Sequence, residues 1–580
     1  MVLLVGGSAV LVVLPRPFGL LVAALRGGWL VACVMVVLAC LGVGLPGGVV
    51  AGDGFFAPPR DIALLVPLGL VGMAATTGRD LAACAAGGCA VIGGPVLSCM
   101  GAGWGLLALC SGRRVGVRPA ADLVALMVMA AVMVDPGPVV WLLPGLCWLG
   151  TRGLLGLSLS PHVGSRVARP FHMADIAGMI AALALWRRLP QAGMVADMRW
   201  GWVLIVAGCV FYMAASWRAL CAGGARGSMA GLMGGSGALV IVLAGLGLLA
   251  GADDLPAMAS AASRTALLVA ATFLTWVFVA RALDVMEREA GPLVLLRLGG
   301  LGVLMPRLSA LFALGLLAES GLPPLLGFSV IWMLLRLLAG MAQGGGVVGD
   351  MPLLAALVVL GVGWAVRMLA LVRVVAVVLC GRPRTPRGAG AADPRGRAMI
   401  PVMLAAVPVL LVSVWPGLWL GLMEGAGHVP SGAVRPVLRD VALASPDGTA
   451  VLHPGRLCLL VAVVGCAVML LRRLACPTPA RQVAGWQQGA PAVPPWMVFG
   501  DPLTQVGPGN PARMVTDMLV PMPVLRRFVR VSIRWRARAA GMAAGVLRRV
   551  DWLWQGRAVP TPVVLLLACV GALMFIAWHG

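Results

Sequence analysis

Ionisable side chains inside long apolar runs are the residues of this chain whose types could carry chemistry. Six of them lie where a membrane-spanning helix would run, and they are His172, Asp175, Glu319, Arg336, Arg367 and Arg373. A charged group at membrane depth is energetically expensive, so such residues serve in ion or proton transfer or in pairing with one another. His172 and Asp175 are three residues apart and share a helix face, where the two side chains could share one proton.

The residue types that are missing restrict this chemistry. The 44 basic residues are all Arg, with no Lys, and only four of the 21 acidic residues are Glu. Arg stays protonated at physiological pH, whereas a desolvated Lys can have its pKa lowered by several units and then exchange a proton. A mechanism that needs an amine of adjustable pKa is therefore excluded. No CxxC pair occurs and the 5 His are scattered, so the sequence predicts no metal site and no cofactor.

The elements that must position these residues are membrane spans. The chain has 580 residues, of which 61% are hydrophobic and only 11% charged, and this composition excludes a soluble globular protein. Apolar runs of about 20 residues predict an all-α polytopic membrane protein with about 14–16 transmembrane helices. The candidate spans lie near 2–24, 28–46, 60–77, 81–110, 121–134, 138–158, 170–187, 200–218, 229–251, 263–283, 308–341, 352–380, 399–423, 456–472 and 562–578.

The net charge of +23 reflects arginines in the short loops between these runs. This placement follows the positive-inside rule, so it indicates a lipid bilayer and argues against nucleic acid as a partner. The basic segments 382–397 and 472–557 are expected to face the cytoplasm, which predicts a multi-pass protein of the bacterial inner membrane. Within the second segment, residues 524–550 fit either an amphipathic helix, on the membrane surface or along a partner subunit, or a solvated basic connector.

Two blocks of sequence carry a family resemblance. Residues 298–334 contain a Gly-Gly-Leu-Gly step, a Met-Pro helix start and then Gly-Leu-Pro-Pro followed by Gly-Phe. Residues 371–384 form an apolar run ending in Gly and Pro-Arg, and a later span closes on Trp-Pro-Gly at 415–417. Together they resemble the antiporter-like subunits shared by respiratory complex I, Mrp-type cation/proton antiporters, and formate hydrogenlyase and group 4 hydrogenase complexes. The resemblance implies two inverted five-helix repeats with broken helices.

Three further segments are similar to the formate hydrogenlyase and group 4 hydrogenase branch. They are PFHMADIAGM at 170–179, GWQQG at 485–489 with DPL at 501–503, and the closing span at 553–578. The resemblance divides the chain into N-terminal transmembrane helices (1–120), an antiporter-like membrane domain (121–425), a further span and loop (426–480), a cytoplasmic basic, partly amphipathic segment (481–560) and a C-terminal transmembrane helix (561–580).

Proton transfer in such subunits is understood to use a Glu in an early span, Lys and His in central helices, and a Lys or Glu in a late broken helix. The resemblance puts the first central position on Ala182 or Leu183, and the other central and late positions on Thr272, Trp276, Ile331 and Arg373. Arg373 keeps its charge but not an exchangeable proton, and none of the others can exchange a proton. The early position falls within 134–149, which contains no Glu, while Asp135 beside Pro136 suits a turn cap.

These observations lead to two alternative interpretations. In the first, the chain is a structural antiporter-like subunit of a redox-linked complex, with other membrane and hydrophilic subunits as partners and no catalytic centre of its own. In the second, it translocates protons or cations through a rebuilt path that uses Asp175, His172, Glu319 and Arg373. Glu319 precedes a helix break and could instead satisfy backbone donors or pair with Arg336 or Arg367. A carrier or enzyme unrelated to the family would need more polar groups at mid-membrane than the spans offer.

Overall fold

The computed structural model describes residues 198–253, 255–342, 346–394, 396–425, 442–445 and 450–475, with short pieces at 27–29, 31, 67–69, 84 and 180. The helices of the main part are α1 (Met198–Cys221), α2 (Ala225–Ala252), α3 (Pro256–Ala290), α4 (Leu301–Leu304), α5 (Pro306–Ala318), α6 (Leu326–Ala342), α7 (Gly346–Leu379), α8 (Pro386–Ala389), α9 (Ile400–Val414), α10 (Pro416–Gly425) and α11 (Pro454–Ala475). This part also contains two 3₁₀ turns, Leu295–Arg297 and Gly396–Ala398. Two short strands, β1 (Leu443–Ala444) and β2 (Val451–Leu452), pair in an antiparallel ladder.

Five of the described helices are long and apolar enough to cross a membrane, and they are α1, α2, α3, α7 and α11. This confirms the predicted all-α membrane fold. The span predicted at 308–341 consists of two helices, α5 and α6, and the span predicted at 399–423 is divided into α9 and α10. Both divisions occur at proline, which lacks the backbone donor that a continuous helix needs.

Helices α2 and α3 form the centre of the bundle. Helix α3 is buried along almost its whole length and packs against α2, α5, α6, α9 and α10, while α1 and α7 cover α2 from the other side. Polar side chains are few here, so packing depends on shape. Helix α11 differs from the others, because its side chains from residue 459 onwards are exposed and among the described elements it packs against the end of α9.

Glycines bring α1 and α2 into backbone contact. A Cβ atom on Gly245 would lie 2.7 Å from the carbonyl oxygen of Gly201, and one on Gly208 would lie 2.9 Å from the backbone nitrogen of Val242. Any larger residue at these positions would push the helices apart. Close approach of this kind lets van der Waals contact replace the hydrophobic effect, which is weak between helices in lipid.

The loops at one end of the bundle are held by polar contacts. At this end, Arg226 at the start of α2 forms ion pairs with Asp284 and Glu287 near the end of α3, at 2.5 and 2.7 Å. Asp393 accepts hydrogen bonds from the backbone nitrogens of Arg307 and Leu308, at 3.0 and 3.3 Å, and so caps the first turn of α5. The contacts of Asp393 fix the position of the first turn of α5 at this end of the bundle.

Candidate functional site

The interruption between α5 and α6 places Glu319 inside the bundle. Helix α5 ends at Ala318, and the next seven residues include Gly321, whose φ of 78° is left-handed, and the pair Pro323-Pro324. Glycine tolerates this backbone angle and proline removes donors, so the local sequence ends the helix here. The side chain of Glu319 is only 3% exposed. A carboxylate buried in a membrane bundle requires a partner.

Arg367 of α7 is that partner. Its Nη2 donates a hydrogen bond to Oε2 of Glu319 at 2.6 Å, and its own side chain is 2% exposed. Nη2 also donates to Oγ of Ser236 at 3.2 Å, and Nη1 donates to the carbonyl oxygen of Leu232 at 2.6 Å. The guanidinium therefore joins α7 to the end of α5 and to the middle of α2.

Two indole rings enclose this ion pair. The guanidinium carbon of Arg367 lies 5.7 Å from the ring centre of Trp276 and 5.9 Å from that of Trp364, both within the range of a cation–π contact. Trp276 Nε1 donates to Ser236 Oγ at 3.4 Å, and Trp364 Nε1 donates to the carbonyl oxygen of Ser320 at 3.2 Å. The rings thus exclude lipid from the charges and hold the interrupted backbone in place.

Tyr212 of α1 belongs to the same region, although it was not among the residues selected from the sequence. Its ring lies between two glycines: a Cβ on Gly363 would be 2.7 Å from the ring, and one on Gly235 would be 3.6 Å from it and 2.8 Å from Nη1 of Arg367. Tyr212 is fully buried. The available signal was composition, because it is the one tyrosine in 580 residues. We call Tyr212, Ser236, Trp276, Glu319, Arg367 and Trp364 the central cluster.

The other predicted positions lie outside the central cluster. Arg373 is half-buried on α7 and donates from Nη1 to the carbonyl oxygens of Leu220 and, at 3.0 Å, Ala222, so it caps the end of α1. Arg336 lies over the ring of Trp332 on its own helix α6. The hydroxyl of Thr272 donates to the carbonyl oxygen one turn back on α3, and Ile331 is partly buried beside the α5–α6 interruption. His172, Asp175, Leu183 and Asp135 lie outside the described residues.

Four polar atoms in and beside the central cluster have no protein partner in the described part of the chain. They are the hydroxyls of Tyr212 and Ser216, Oε1 of Glu319 and Nε of Arg367. The region is therefore polar well beyond its one ion pair.

The cation of this arrangement is fixed, because Arg367 does not lose its proton at physiological pH. Glu319 binds Arg367 through Oε2, and its other oxygen, Oε1, has no hydrogen-bond partner among the described residues. Within the described ranges, no group of three or more His, Cys, Asp or Glu residues is placed to hold a metal ion.

Solved membrane complexes contain chains with the same fold. A chain of the membrane-bound sulfane sulfur reductase, an archaeal respiratory membrane complex, is similar with a TM-score of 0.64 and 16% sequence identity, over 100% of both chains. A chain of the Mrp complex from Dietzia sp. DQ12-45-1b is similar with a TM-score of 0.52 and 15% identity, over 73% of this chain and 93% of that chain. No protein-family model matches the chain, and no curated protein matches its sequence. The likeness establishes a multi-pass membrane fold.

Proposed function

We propose that this chain is an antiporter-like membrane subunit of a redox-linked complex and that its role is structural rather than proton-pumping. The fold it shares with chains of the Mrp complex and of the sulfane sulfur reductase supports the first part. The ordered motifs between 121 and 578 favour a complex of the formate hydrogenlyase or group 4 hydrogenase type, or of the NADH:quinone oxidoreductase type. Its partners are then other membrane and hydrophilic subunits in a bacterial inner membrane.

One observation supports the structural role above all others. Trp276 stands where the resemblance expects a proton-exchanging Lys, and its ring lies against Arg367, which is paired with Glu319 at 2.6 Å. A permanent cation with a bound carboxylate and an indole has replaced an amine that could change its charge. Proton transfer past this point requires a group that gains and loses a proton at low energetic cost, and Arg is not such a group.

Proton uptake by vesicles tests the structural role. We would reconstitute the complex with its native subunits and measure protons taken up per electron transferred for the wild type, Glu319→Gln and Asp175→Asn. The expected result is the same ratio in all three, with Arg336→Gln as a control for changing an intramembrane charge. A fall in the ratio for either carboxylate variant, with electron transfer intact, would show that the rebuilt path operates.

Mild detergent extraction tests the place in a complex. We expect the chain to be purified together with hydrophilic subunits that carry redox centres. Isolation as a stable, solitary monomer at full yield would contradict the assignment. Mass spectrometry of the intact assembly distinguishes the candidate complexes, because a nickel-site subunit and a quinone-site subunit differ in mass and cofactor content.

A further inference from the structure

The outer face of α6 carries the one charged side chain of this helix, Arg336. Met333, Leu334 and Leu337 point into the bundle and are at most 4% exposed, whereas Leu335 is 40% exposed and Arg336 is partly exposed. Helices α3, α7 and α9 pack against α6. The guanidinium of Arg336 therefore lies on the outside of the described bundle, where lipid or another protein covers it.

The depth of Arg336 in the membrane follows from the contacts of α7. The part of α7 that is apolar enough to cross a membrane is Met351–Leu379, and its middle lies beside Trp364. A Cβ on Gly321 would contact both the ring of Trp364 and the side chain of Ile331, so Ile331 lies at this middle depth. Arg336 is about 7.5 Å further along the axis of α6, whereas the hydrocarbon core extends about 15 Å from its middle.

The side chain of Arg336 points towards the middle of the membrane and away from the nearer surface. Long side chains on a helix lean towards its N-terminus, which for α6 is the interruption in the middle of the bundle. The guanidinium carbon accordingly lies 5.9 Å from the ring centre of Trp332, one turn earlier on α6. An arginine that binds a lipid phosphate extends towards the headgroups. The direction of the side chain therefore argues against a lipid headgroup as its counter-ion.

The arginine inside the bundle shows what a charge at this depth requires. Arg367 has a carboxylate oxygen of Glu319 at 2.6 Å, two further hydrogen-bond acceptors and two indole rings. Arg336 has one indole ring, and among the described residues no carboxylate forms an ion pair with it. A guanidinium in hydrocarbon is costly, so a carboxylate at the same depth is the group that complements the outer face of α6.

We propose that the outer face of α6, formed by Phe328, Trp332, Leu335, Arg336 and Ala339, binds a transmembrane helix of a neighbouring subunit, and that Arg336 pairs with an Asp or Glu of that helix. Charge complementarity selects this partner, because a helix can carry a carboxylate to mid-membrane and a phospholipid cannot carry its phosphate there. The apolar side chains around the charge provide packing for the helix. The inference rests on the proposed membership of a membrane complex, to which it adds the surface and the chemistry of the partner.

Retention of partner subunits after dilution in mild detergent tests this surface. The complex is purified through an affinity tag on this chain, diluted, and analysed over time for the subunits that remain bound. Deleting one side of a buried charge pair mainly raises the dissociation rate, so Arg336→Met should release a membrane subunit about tenfold faster than the wild type. This variant removes one described contact, the ring of Trp332, so the chain itself should still fold.

Matched variants separate the pair from a general effect of charge. Arg336→Lys and Arg336→Gln keep hydrogen-bond donors for a carboxylate, so their dissociation rates should rise about threefold or less. Arg382→Met removes an exposed arginine beyond the end of α7 and should dissociate at the wild-type rate.

A photoreactive benzophenone side chain at position 335 identifies the occupant of the face. We expect it to attach to a transmembrane segment of another subunit, with an Asp or Glu within one helical turn of the attachment site. Reversing either charge alone should speed dissociation, and exchanging the two charges between the subunits should restore the slow rate.

Three results would overturn the proposal: equal dissociation rates for Arg336→Met and the wild type, attachment of the benzophenone to phospholipid alone or to a segment without an acid, and failure of the charge exchange to restore binding. A stable complex with any of these results contradicts this surface and leaves the proposed function standing. A wild-type chain that is purified alone contradicts both.

Discussion

Replacing Arg367 by Met removes the charge on which the central cluster depends. Glu319 would remain 3% exposed, and its nearest cation, now 2.6 Å away, would be lost. Breaking a buried ion pair by deleting one partner costs about 3–5 kcal/mol. The bonds from Arg367 to Leu232 and Ser236 would be lost as well, so we expect a loss of about 4 kcal/mol in the free energy of unfolding.

The double variant Arg367→Met with Glu319→Leu provides the internal comparison. Exchanging a whole buried ion pair for apolar side chains of similar volume is often neutral or stabilising by about 1–4 kcal/mol. We therefore expect the double variant to recover at least about 2 kcal/mol relative to Arg367→Met alone. If the two residues were independent, the stability losses of the single variants would add in the double variant. Because the residues are coupled, we expect the double variant to lose less than that sum.

Unfolding by sodium dodecyl sulfate in mixed micelles, followed by tryptophan fluorescence, measures these free energies. Arg336→Met is the matched control, because the described contact of Arg336 is the ring of Trp332. This variant should lower the free energy of unfolding by about 0.5–1 kcal/mol. The reasoning would be refuted if Arg367→Met were no less stable than Arg336→Met. It would also be refuted if the double variant were as unstable as the two single effects added together.

Three further variants test the packing and the caps. Gly245→Ala should lower stability by about 1–3 kcal/mol, because its Cβ meets backbone of α1 at 2.7 Å; Gly361→Ala, with nothing within 4 Å, should not lower it in the same unfolding assay. Asp393→Ala should cost about 0.5–2 kcal/mol through loss of the cap on α5, and Asp393→Asn should retain most of the cap; equal losses would contradict the capping role. Arg373→Met should lower the melting temperature of the complex, because the carbonyl oxygens of Leu220 and Ala222 at the end of α1 lose their donor. Arg373→Lys should restore part of the melting temperature, whereas no recovery would show that the fork geometry of Arg is required.

Much of the central cluster could be anticipated from local sequence. Glu319 was identifiable because a Gly-Leu-Pro-Pro break follows it, and Arg367 because it interrupts an apolar run. The choice between Arg336 and Arg367 as partner of Glu319 could not be made, since it depends on how α7 packs against the end of α5. Such packing reflects the rotation of each helix about its axis, which periodicity leaves undetermined in spans that are apolar on every side.

Tyr212 shows the same limit more clearly. Its contacts come from Gly235 on α2 and Gly363 on α7, which are 128 residues apart in the sequence. From sequence alone, a glycine in an apolar helix is equally compatible with contact to lipid, to another helix or to a buried ring. The resemblance, in contrast, pointed to Trp276 from motif spacing alone, and the structure places its ring against Arg367. Motif spacing thus locates a position in the fold, while the neighbours of that position require three-dimensional information.

Within the described part of the chain, α11 packs chiefly against the end of α9, and this affects how the chain meets membranes of different thickness. This helix has 22 residues, and its apolar side chains from residue 459 onwards are exposed, with Arg472 and Arg473 in its last turn. Its length of about 33 Å is close to the thickness of a bilayer's hydrocarbon core. A helix held by few neighbours relieves hydrophobic mismatch by tilting, at a fraction of a kcal/mol per Å. Helix α11 can therefore adjust to a thinner or thicker bilayer while the bundle around the ion pair keeps its geometry.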